Sequence, residues 1–486
     1  MPDSFWAVVS LAQQGLILLH LVLVITFAVR VISQRLPVGA SLAWLLVLAL
    51  LPYVGVGLYL LFGERFLGVK HQQRRARLQQ LFDIPALRNA PMVEQPWHEF
   101  HPASQALAQL EFQTTGIPAL GGNRVAFLQT AQATIQQLCR DIRGARHTCH
   151  LEFYIWHPGG IADEVAAALV DAAERGVYCR IMLDAVGSSA FFKSALFDNL
   201  QHPRIELIKA CPIGVIPASL ARYDLRSHRK TVIIDNRVAY VGSFNLIDPA
   251  HFKQSLAVGE WIDLMARIEG PLVQVLNAVF LWYWNIETDQ TLTLLPTLVE
   301  IRQDQMVAQV APSGPDNVTD SILKSLLQGI YSAERSVDIV TPYFVPGEAL
   351  ELALSIAARR GVKVNLILPK RVDSFLVRHA SRSYFSGLME AGVNILQFEQ
   401  GLLHTKCIVI DDQLAFFGTV NMDQRSLWLN FEMTLIVYDR PTVAQLAEIM
   451  AGYRRLTKPL DPLAWQQRSR ISHLFENIMH LMSPLI

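Results

Sequence analysis

Residues 401–421 read GLLHTKCIVIDDQLAFFGTVN, and most of the organisation of the chain can be inferred from this segment. It places His404, Lys406 and Asp411 in an H-x-K-x4-D pattern, which is followed by a Gly-Thr-x-Asn group containing Thr419 and Asn421. The same pattern occurs earlier in the chain, at His228, Lys230, Asp235, Ser243 and Asn245. Because both copies have identical internal spacing and each opens an apolar run, the chain is predicted to contain a duplicated unit.

Each copy of the motif has the pattern of a β-hairpin. The His and Lys are two residues apart at the start of a strand, so their side chains leave the same face. An apolar run leads to the Asp, where turn-forming residues follow, and a return strand ends at the Asn. The hairpin should bring Asn245 back towards His228 and Asn421 back towards His404. The Asp either fixes an imidazole tautomer through its ring N–H or is a structural turn residue.

The residue types suit chemistry on a phosphodiester. Lys supplies positive charge without a metal, and Asn, Ser and Thr supply neutral donors for phosphate oxygens. A neutral His can attack phosphorus, and a protonated His can release the leaving alcohol. Two copies provide one histidine for each role. We therefore expect both copies to close on one phosphate, with catalytic residues His228, Lys230, Asp235, His404, Lys406 and Asp411 and phosphate-binding residues Ser243, Asn245, Thr419 and Asn421.

The regions before the two motifs also repeat. Strand, helix and strand patterns occur at 150–156, 163–176 and 177–184, and again at 337–345, 349–361 and 362–368. Such units predict parallel sheets with helices on their faces. The predicted fold class is α/β, with two related domains, residues 117–290 and 291–486, packed face to face. Apolar spacing over 465–482 predicts a C-terminal amphipathic helix that either docks on the body or lies in a membrane interface.

Two apolar runs, residues 7–29 and 38–62, precede these domains. Each is long enough to cross a hydrocarbon core of roughly 30 Å, which needs about 20 helical residues. No Lys or Arg precedes Arg30, which argues against a signal peptide and favours a retained transmembrane hairpin, residues 1–64. A buried soluble hairpin is the alternative.

Basic residues predict how this hairpin is oriented. The connecting loop has Arg30 and Arg35, and a basic segment at the start of the predicted linker, residues 65–116, carries Arg65, Lys70, Arg74, Arg75 and Arg77. The excess after the second run predicts that both ends of the hairpin and the following domains are cytoplasmic. The same cluster either attracts anionic lipids or is only a flank that stops transfer.

Overall composition excludes little but is informative about partners. Lys plus Arg and Asp plus Glu both number 42 among 486 residues, so net charge offers no support for a nucleic-acid partner. The five cysteines are an odd number without a C-x-x-C pair, which is typical of reduced thiols facing the cytosol. We find no spacing typical of a metal site and predict no metal and no cofactor.

The paired motif resembles that of the phospholipase D superfamily. The segments 152–156, 224–230, 248–253, 341–346 and 425–432 are similar to those of its bacterial cardiolipin synthases, as are the paired N-terminal runs. The resemblance implies attack by one His on phosphatidylglycerol, release of glycerol, and transfer of the phosphatidyl group to a second phosphatidylglycerol at the bacterial inner membrane. It implies that His228 is the nucleophile and that His404 acts as general acid and then as base.

The resemblance also implies a supporting Glu behind each motif, namely Glu432 and Glu260. These lie 11 and 15 residues after Asn421 and Asn245, an inequality that weakens the assignment of Glu260. A lipid hydrolase is the main alternative function, since it differs only in using water as the acceptor. A nuclease, the less favoured alternative, should have a basic surface, which the balanced charge does not indicate. A synthase with a nucleotide-linked donor should have a nucleotide-binding motif, and the sequence contains no P-loop and no G-x-G-x-x-G. Oligomeric state is left open.

Overall fold

The computed structural model describes residues 2–34, 38–63, 73–75, 95, 97–211, 224–293, 306–316 and 320–481. Contacts divide the chain into two compact units. The first comprises Met1–Arg74 and Ile213–Leu225, and the second comprises Arg75–Pro212 and Arg226–Ile486.

The first unit contains the two apolar runs. Its helices are Pro2–Ser33, Val38–Leu50 and Pro52–Leu58, followed by a π-helical turn, Tyr59–Gly63. A small cluster around buried Val31, Leu48 and Tyr59 holds them together. Many other apolar side chains of this unit are exposed, among them Leu18, Ile25, Val29, Leu42 and Leu46.

The transmembrane assignment of this unit is not confirmed. Within the described part of the chain, none of the helices combines the length and apolar composition that crossing a membrane requires. Arg35, Arg65, Lys70 and Arg77, on which the predicted orientation partly depends, lie outside the described residues. The orientation therefore stays a prediction.

The second unit alternates helices and strands. Its described α-helices are Ser104–Thr115, Ala131–Arg143, Asp163–Glu174, Ala195–Asn199, Leu272–Thr288, Ser321–Ser332, Gly347–Arg359, Phe375–Ser383, Phe385–Glu390, Gln424–Trp428, Arg440–Arg455, Pro462–Gln466 and Arg470–Leu481. The strands of its first half are β1 Leu120–Leu128, β2 Thr148–Phe153, β3 Tyr178–Asp184, β4 Ile205–Ala210, β5 Lys230–Ile234, β6 Val238–Gly242, β7 Trp261–Ile262 and β8 Met265–Glu269. Those of its second half are β9 Met306–Ser313, β10 Ser336–Val340, β11 Phe344–Val345, β12 Lys363–Pro369, β13 Asn394–Phe398, β14 Leu402–Leu403, β15 Cys407–Ile410, β16 Leu414–Gly418, β17 Met422–Asp423, β18 Glu432–Val437 and β19 Thr457–Pro459.

Fifteen of these strands form one continuous sheet, in the order β19-β13-β12-β10-β15-β16-β18-β9-β1-β8-β6-β5-β2-β3-β4. Apart from the edge strand β19, the order is symmetric about the antiparallel β1–β9 pair, so each strand from β4 to β1 has a counterpart between β13 and β9. The predicted duplication is confirmed. The predicted face-to-face packing is wrong, because the halves are joined edge to edge through β1 and β9.

The sheet is mixed rather than parallel. In the first half β2, β3 and β4 are parallel, whereas β5, β6, β8 and β1 run antiparallel to their neighbours. The prediction of the strand–helix–strand units is confirmed. Helix Asp163–Glu174 lies between the parallel strands β2 and β3, and helix Gly347–Arg359 precedes β12, which is parallel to β10. The motif hairpins add the antiparallel strands, which the prediction of parallel sheets omitted.

Part of the predicted linker belongs to the core. Helix Ser104–Thr115 contributes Leu107 and Ala108 to the hydrophobic core of the second half. The buried Gln309 side chain of β9 donates to the carbonyls of Ala108 and Ile117, which fixes this helix against the sheet. Residues 117–290 and 291–486 remain predicted domain limits, because the two halves share one sheet.

Candidate active site

The two motif hairpins form as predicted. β5 pairs with β6, β15 pairs with β16, and each turn contains two consecutive residues of positive φ, Asp235–Asn236 and Asp411–Asp412. Asp and Asn tolerate this conformation better than most residues with a Cβ. The hairpins place His228 and His404 at the same end of the sheet, immediately before β5 and β15.

Each motif is held by the backbone of the opposite half. The backbone N–H of His228 donates to the carbonyl of Phe431 (2.9 Å), and that of His404 donates to the carbonyl of Ile262 (2.8 Å). Short parallel β14 and β7 pair beside the second contact, so the chain segments cross between halves. Both histidines are buried, with 7% and 2% of their surface exposed.

A carboxylate from the opposite half binds each imidazole. His228 Nδ1 lies 2.9 Å from both carboxylate oxygens of Glu432, and His404 Nδ1 lies 2.7 Å from Asp263 Oδ1. With Nδ1–H donating to a carboxylate, Nε2 of each ring is the atom left for chemistry. The crossed pairs bring both motifs into one site.

Asp263 is the structural equivalent of Glu432. Gly242 pairs with Met265, and Gly418 pairs with Thr434, so each carboxylate lies two residues before the partner of the motif glycine. The glycines permit this approach, since a Cβ would lie 2.3 Å from the Leu264 carbonyl oxygen and 2.1 Å from that of Met433.

The prediction of Glu260 as a supporting residue is therefore wrong, whereas that of Glu432 is consistent with its contact to His228. Glu260 is exposed, and its backbone carbonyl accepts a hydrogen bond from Leu402 N–H. The unequal spacing of Glu260 and Glu432 from their motif Asn already weakened this assignment, and an equal count does not find Asp263 either, because the connection between β6 and β8 is longer than that between β16 and β18. The carboxylate is located by the residue that pairs with the motif glycine in the sheet, rather than by the number of residues after the motif Asn.

Thr419 orients Glu432, and Ser243 lies in the equivalent position of the first motif. The Thr419 hydroxyl donates to Glu432 and accepts from Met433 N–H at 2.8 Å. The Ser243 hydroxyl accepts from Leu264 N–H at 3.0 Å and lies 3.4 Å from the Leu264 carbonyl oxygen. Direct contact of these two hydroxyls with phosphate stays a prediction.

The lysines and asparagines are buried around the histidines. Lys230 Nζ donates to the His228 carbonyl at 2.6 Å, and Lys406 Nζ donates to that of His404. The Asn245 side-chain oxygen accepts from Ile155 N–H at 3.2 Å, which leaves its amide N–H groups to donate to a ligand. Asn421 is buried in the equivalent position of the second motif.

Asp235 and Asp411 are turn residues, so their assignment to the catalytic set is wrong. The Asp235 carboxylate accepts backbone N–H bonds from Arg146, His147 and Thr148, each at 2.8 Å. The Asp411 carboxylate accepts from the N–H groups of Glu334, Arg335 and Ser336 at 2.7–2.8 Å. Each Asp ties its hairpin turn to the start of the neighbouring strand, at the opposite end of the hairpin from the histidine.

Burial and neighbouring charges shift the pKa values of the site. Burial, opposed by the carboxylates, lowers the pKa of both His228 and His404 to about 4. Burial also lowers the pKa of Lys230 to about 8 and that of Lys406 to about 7. Each lysine also lowers the pKa of the histidine of the other motif, which indicates that the two motifs form a single electrostatic cluster.

Aromatic side chains and one further ion pair surround the histidines. Tyr154 lies with its ring centroid 5.0 Å from that of His228, and Trp261 lies 4.4 Å from that of His404. Near His404, Asp373 accepts from Tyr343 Oη (2.6 Å) and Lys253 Nζ (2.9 Å). Asp263 and Asp373 could not be predicted from the sequence, because neither lies in a motif.

Comparisons with known proteins show the family of the chain. Residues 138–284 and 326–453 match a family model described as cardiolipin synthase, phospholipase D-like domain, and residues 22–64 match a phospholipase D-nuclease N-terminal model. The chain is 40% identical over 476 residues to a cardiolipin synthase A of Buchnera aphidicola subsp. Schizaphis graminum, covering 97% of this chain and 98% of that protein. It is 41% identical over 488 residues to that of Cronobacter sakazakii, covering 99% and 100%.

A solved structure gives a more distant likeness. The phosphatidylserine synthase of Haemophilus influenzae superposes with a TM-score of 0.58 at 15% identity, covering 78% of this chain and 100% of the other. At that identity the likeness shows the fold alone.

Proposed function

The chain belongs to the cardiolipin synthases of the phospholipase D superfamily, and on this premise we propose a two-step phosphatidyl transfer in which one histidine is the nucleophile and the other moves the proton. The overall reaction converts two phosphatidylglycerol molecules to cardiolipin and glycerol. The observation that carries the mechanism is the crossed pair of contacts, His228 with Glu432 and His404 with Asp263. It supplies two oriented imidazoles in one buried site, as an attack and a proton transfer require.

In the first step, we assign the attack on phosphorus to His228 Nε2. The bond from phosphorus to the glycerol oxygen breaks, and His404 donates its Nε2 proton to that oxygen. Glu432 stabilises the positive charge that develops on the His228 ring, and Asp263 does the same for protonated His404. An arriving phosphate anion raises the low pKa of His404, because it offsets the nearby lysine charges that disfavour protonation.

In the second step, the terminal hydroxyl of a second phosphatidylglycerol is the acceptor. Neutral His404 takes the hydroxyl proton, the oxygen attacks phosphorus, and the bond from phosphorus to His228 breaks. Cardiolipin leaves, and His404 is protonated again for the next cycle. Lys230, Lys406 and the two motif asparagines are positioned to bind the non-bridging phosphate oxygens in both steps.

We further propose that residues 1–64 anchor the enzyme in the bacterial inner membrane, with the catalytic halves on the cytoplasmic side. The two apolar runs and the exposed apolar side chains of their helices support this placement, as does the N-terminal family match. Anionic lipids would be attracted by the basic residues that follow the second run.

The purified protein incubated with phosphatidylglycerol alone, in EDTA and without nucleotide, tests the reaction. We expect cardiolipin and glycerol in equal amounts. Phosphatidic acid as the sole lipid product would instead assign the chain as a hydrolase. A requirement for a divalent metal or a nucleotide-linked lipid would contradict the histidine mechanism.

A further inference from the structure

An exposed apolar patch lies on the second half of the second compact unit, where two helices pack together. Helix Phe375–Ser383 packs against helix Arg470–Leu481, and the rings of Phe375 and Phe475 lie 6.0 Å apart. The patch consists of the exposed side chains Phe375, Leu376, Ile471, Leu474, Ile478 and Leu481. Ile471 is 81% exposed and Leu474 is 62% exposed, values unusual for large aliphatic residues of a folded body.

The polar face of the C-terminal helix fixes this orientation. Glu476 is buried and accepts from Arg382 Nε at 2.7 Å and from Arg468 at 2.6 Å. His480, on the same side, contacts Ser383 and the ring of Tyr384. Turning the apolar face inward would break both ion pairs of Glu476. The helix therefore docks through Glu476 and presents residues 471, 474, 478 and 481 outward.

The patch adjoins the active site and has basic neighbours. Phe375 lies two residues after Asp373, which accepts a hydrogen bond from Tyr343, and the Tyr343 ring centroid lies 6.4 Å from that of His404. Arg378 is exposed one helical turn from Phe375, and Arg470 is exposed one turn from Leu474. An apolar surface with a basic rim complements a bilayer that contains anionic lipid.

We propose that the apolar patch is a lipid-facing surface that docks the catalytic body on the bilayer and covers the acyl chains of a substrate whose phosphate enters the site. The proposal rests on the proposed function, since that function makes the substrate a two-chain lipid. A headgroup that reaches His404 leaves its acyl chains outside the buried site, and the patch is the apolar surface adjacent to Asp373. A second copy of this chain is the competing occupant.

A labelling experiment tests docking without using activity. In the full chain with Cys211→Ser, the cysteines that remain are buried, so a single fluorophore can be placed at Leu474→Cys. In vesicles of phosphatidylglycerol and phosphatidylcholine, brominated lipid should quench this label. The matched control is Tyr331→Cys, 40% exposed and close to the Asp411 turn, away from His404; its label should not be quenched. An unquenched label at residue 474 would overturn the proposal.

A kinetic experiment tests whether docking serves the reaction. The Ile471→Ser/Leu474→Ser variant should lose roughly fivefold to tenfold in turnover of phosphatidylglycerol embedded in vesicles, because an interfacial apolar contact is lost. It should turn over short-chain phosphatidylglycerol dispersed in detergent at the wild-type rate, and Tyr331→Ser should match wild type in both. An equal loss on both substrates, or no loss on either, contradicts the proposal.

The outcomes separate the proposal from its premise. If wild type makes no cardiolipin from either substrate, the proposed function fails, whereas quenching at residue 474 still reports docking. Cross-linking of Leu474→Cys between two copies in detergent, together with shielding that persists without lipid, would assign the patch to self-association and refute the lipid assignment.

Discussion

Glu432→Gln is the substitution that most directly tests the crossed-carboxylate site. Gln has nearly the same shape and retains one side-chain oxygen, so it can still accept the Nδ1–H bond of His228 that Glu432 accepts at 2.9 Å. The negative charge is lost, however. The tautomer and position of the ring should survive, and the stabilisation of a positively charged ring should not.

The expected loss follows from the burial of the pair. Glu432 is fully buried, and after the opposing effect of desolvation its charge is the largest influence that raises the pKa of His228. A hydrogen bond to a charged group contributes about 1.5–3 kcal/mol and one between neutral groups about 0.5–1.5 kcal/mol, so exchanging one for the other costs about 1–1.5 kcal/mol. Because each 1.36 kcal/mol is tenfold in rate, loss of the charge in the transition state should lower the rate of formation of the phosphatidyl–histidine adduct by roughly fivefold to tenfold.

Single-turnover measurement of glycerol release from phosphatidylglycerol reads this step directly. The control is Glu260→Gln, which removes the exposed carboxylate that the family resemblance implied, and it should release glycerol at the wild-type rate. Thermal unfolding should show that both variants are folded. A Glu432→Gln rate within about twofold of wild type, or a collapse caused by Glu260→Gln, would refute the assignment of the carboxylates.

Three further predictions concern the histidines, a lysine and a turn residue. His228→Ala and His404→Ala should each abolish transfer in a folded protein. With a phosphatidyl donor whose leaving group needs no proton, the covalent lipid adduct should form in His404→Ala and be absent from His228→Ala. The reverse pattern would exchange the roles of the two histidines. For the free enzyme, kcat/KM should rise as pH approaches about 4, where His228 loses its proton and can attack. Above about 4 it should decline as His404 loses the proton that the leaving glycerol oxygen needs, and a second, steeper basic limb should begin above about 7, where Lys406 becomes neutral and loses its attraction for phosphate. Lys406→Arg should move this second basic limb to higher pH, and an unmoved limb would exclude Lys406 as its origin. Asp411→Asn should destabilise the fold by about 1–3 kcal/mol, because the Asp411 carboxylate accepts three backbone N–H bonds. Specific activity should change little, since Asp411 lies at the opposite end of the hairpin from His404. Burial raises the pKa of the Asp411 carboxyl, but the three N–H donors outweigh burial and lower the net pKa, so the ionised carboxylate contributes to stability. That contribution is present above the unfolded pKa and is lost as pH falls through the folded value, so the unfolding midpoints of wild type and Asp411→Asn should converge at low pH.

Local features of the site could be predicted from sequence because they depend on neighbouring residues. The hairpins from His228 to Asn245 and from His404 to Asn421 follow from the apolar runs, the turn residues between them and their length. The role of Asp411 remained ambiguous, since its choice between ring and backbone depends on where the N–H groups of residues 334–336 lie. Only the pairing of β10 with β15 brings those groups to the turn.

Long-range features could not be predicted in the same way. The joining of the halves rests on two antiparallel residue pairs of β1 and β9, Leu120 with Ala308 and Asn123 with Met306. The buried Asn123 side chain reinforces this joint by donating to the Met306 carbonyl at 3.2 Å. No local sequence pattern shows which edge strands will pair. Packing the two halves face to face would also bury apolar side chains, so the apolar pattern does not distinguish the two arrangements. The carboxylate partner of His404 escaped for a related reason, since it is set by sheet register.

The crossed contacts make each half incomplete by itself. Without the second half, His228 lacks Glu432, and without the first half, His404 lacks Asp263. The two centres are also unequal, although the fold that carries them is symmetric. Glu432 contacts its imidazole with both oxygens and accepts further bonds from Thr419 and Asn430, whereas the shorter Asp263 contacts its imidazole through one oxygen. A ring that becomes covalently phosphorylated stays positively charged for the life of the intermediate, and a ring that only moves a proton does not. We therefore infer that the more fully hydrogen-bonded carboxylate accompanies the nucleophile, and this physical argument supports our assignment of that role to His228.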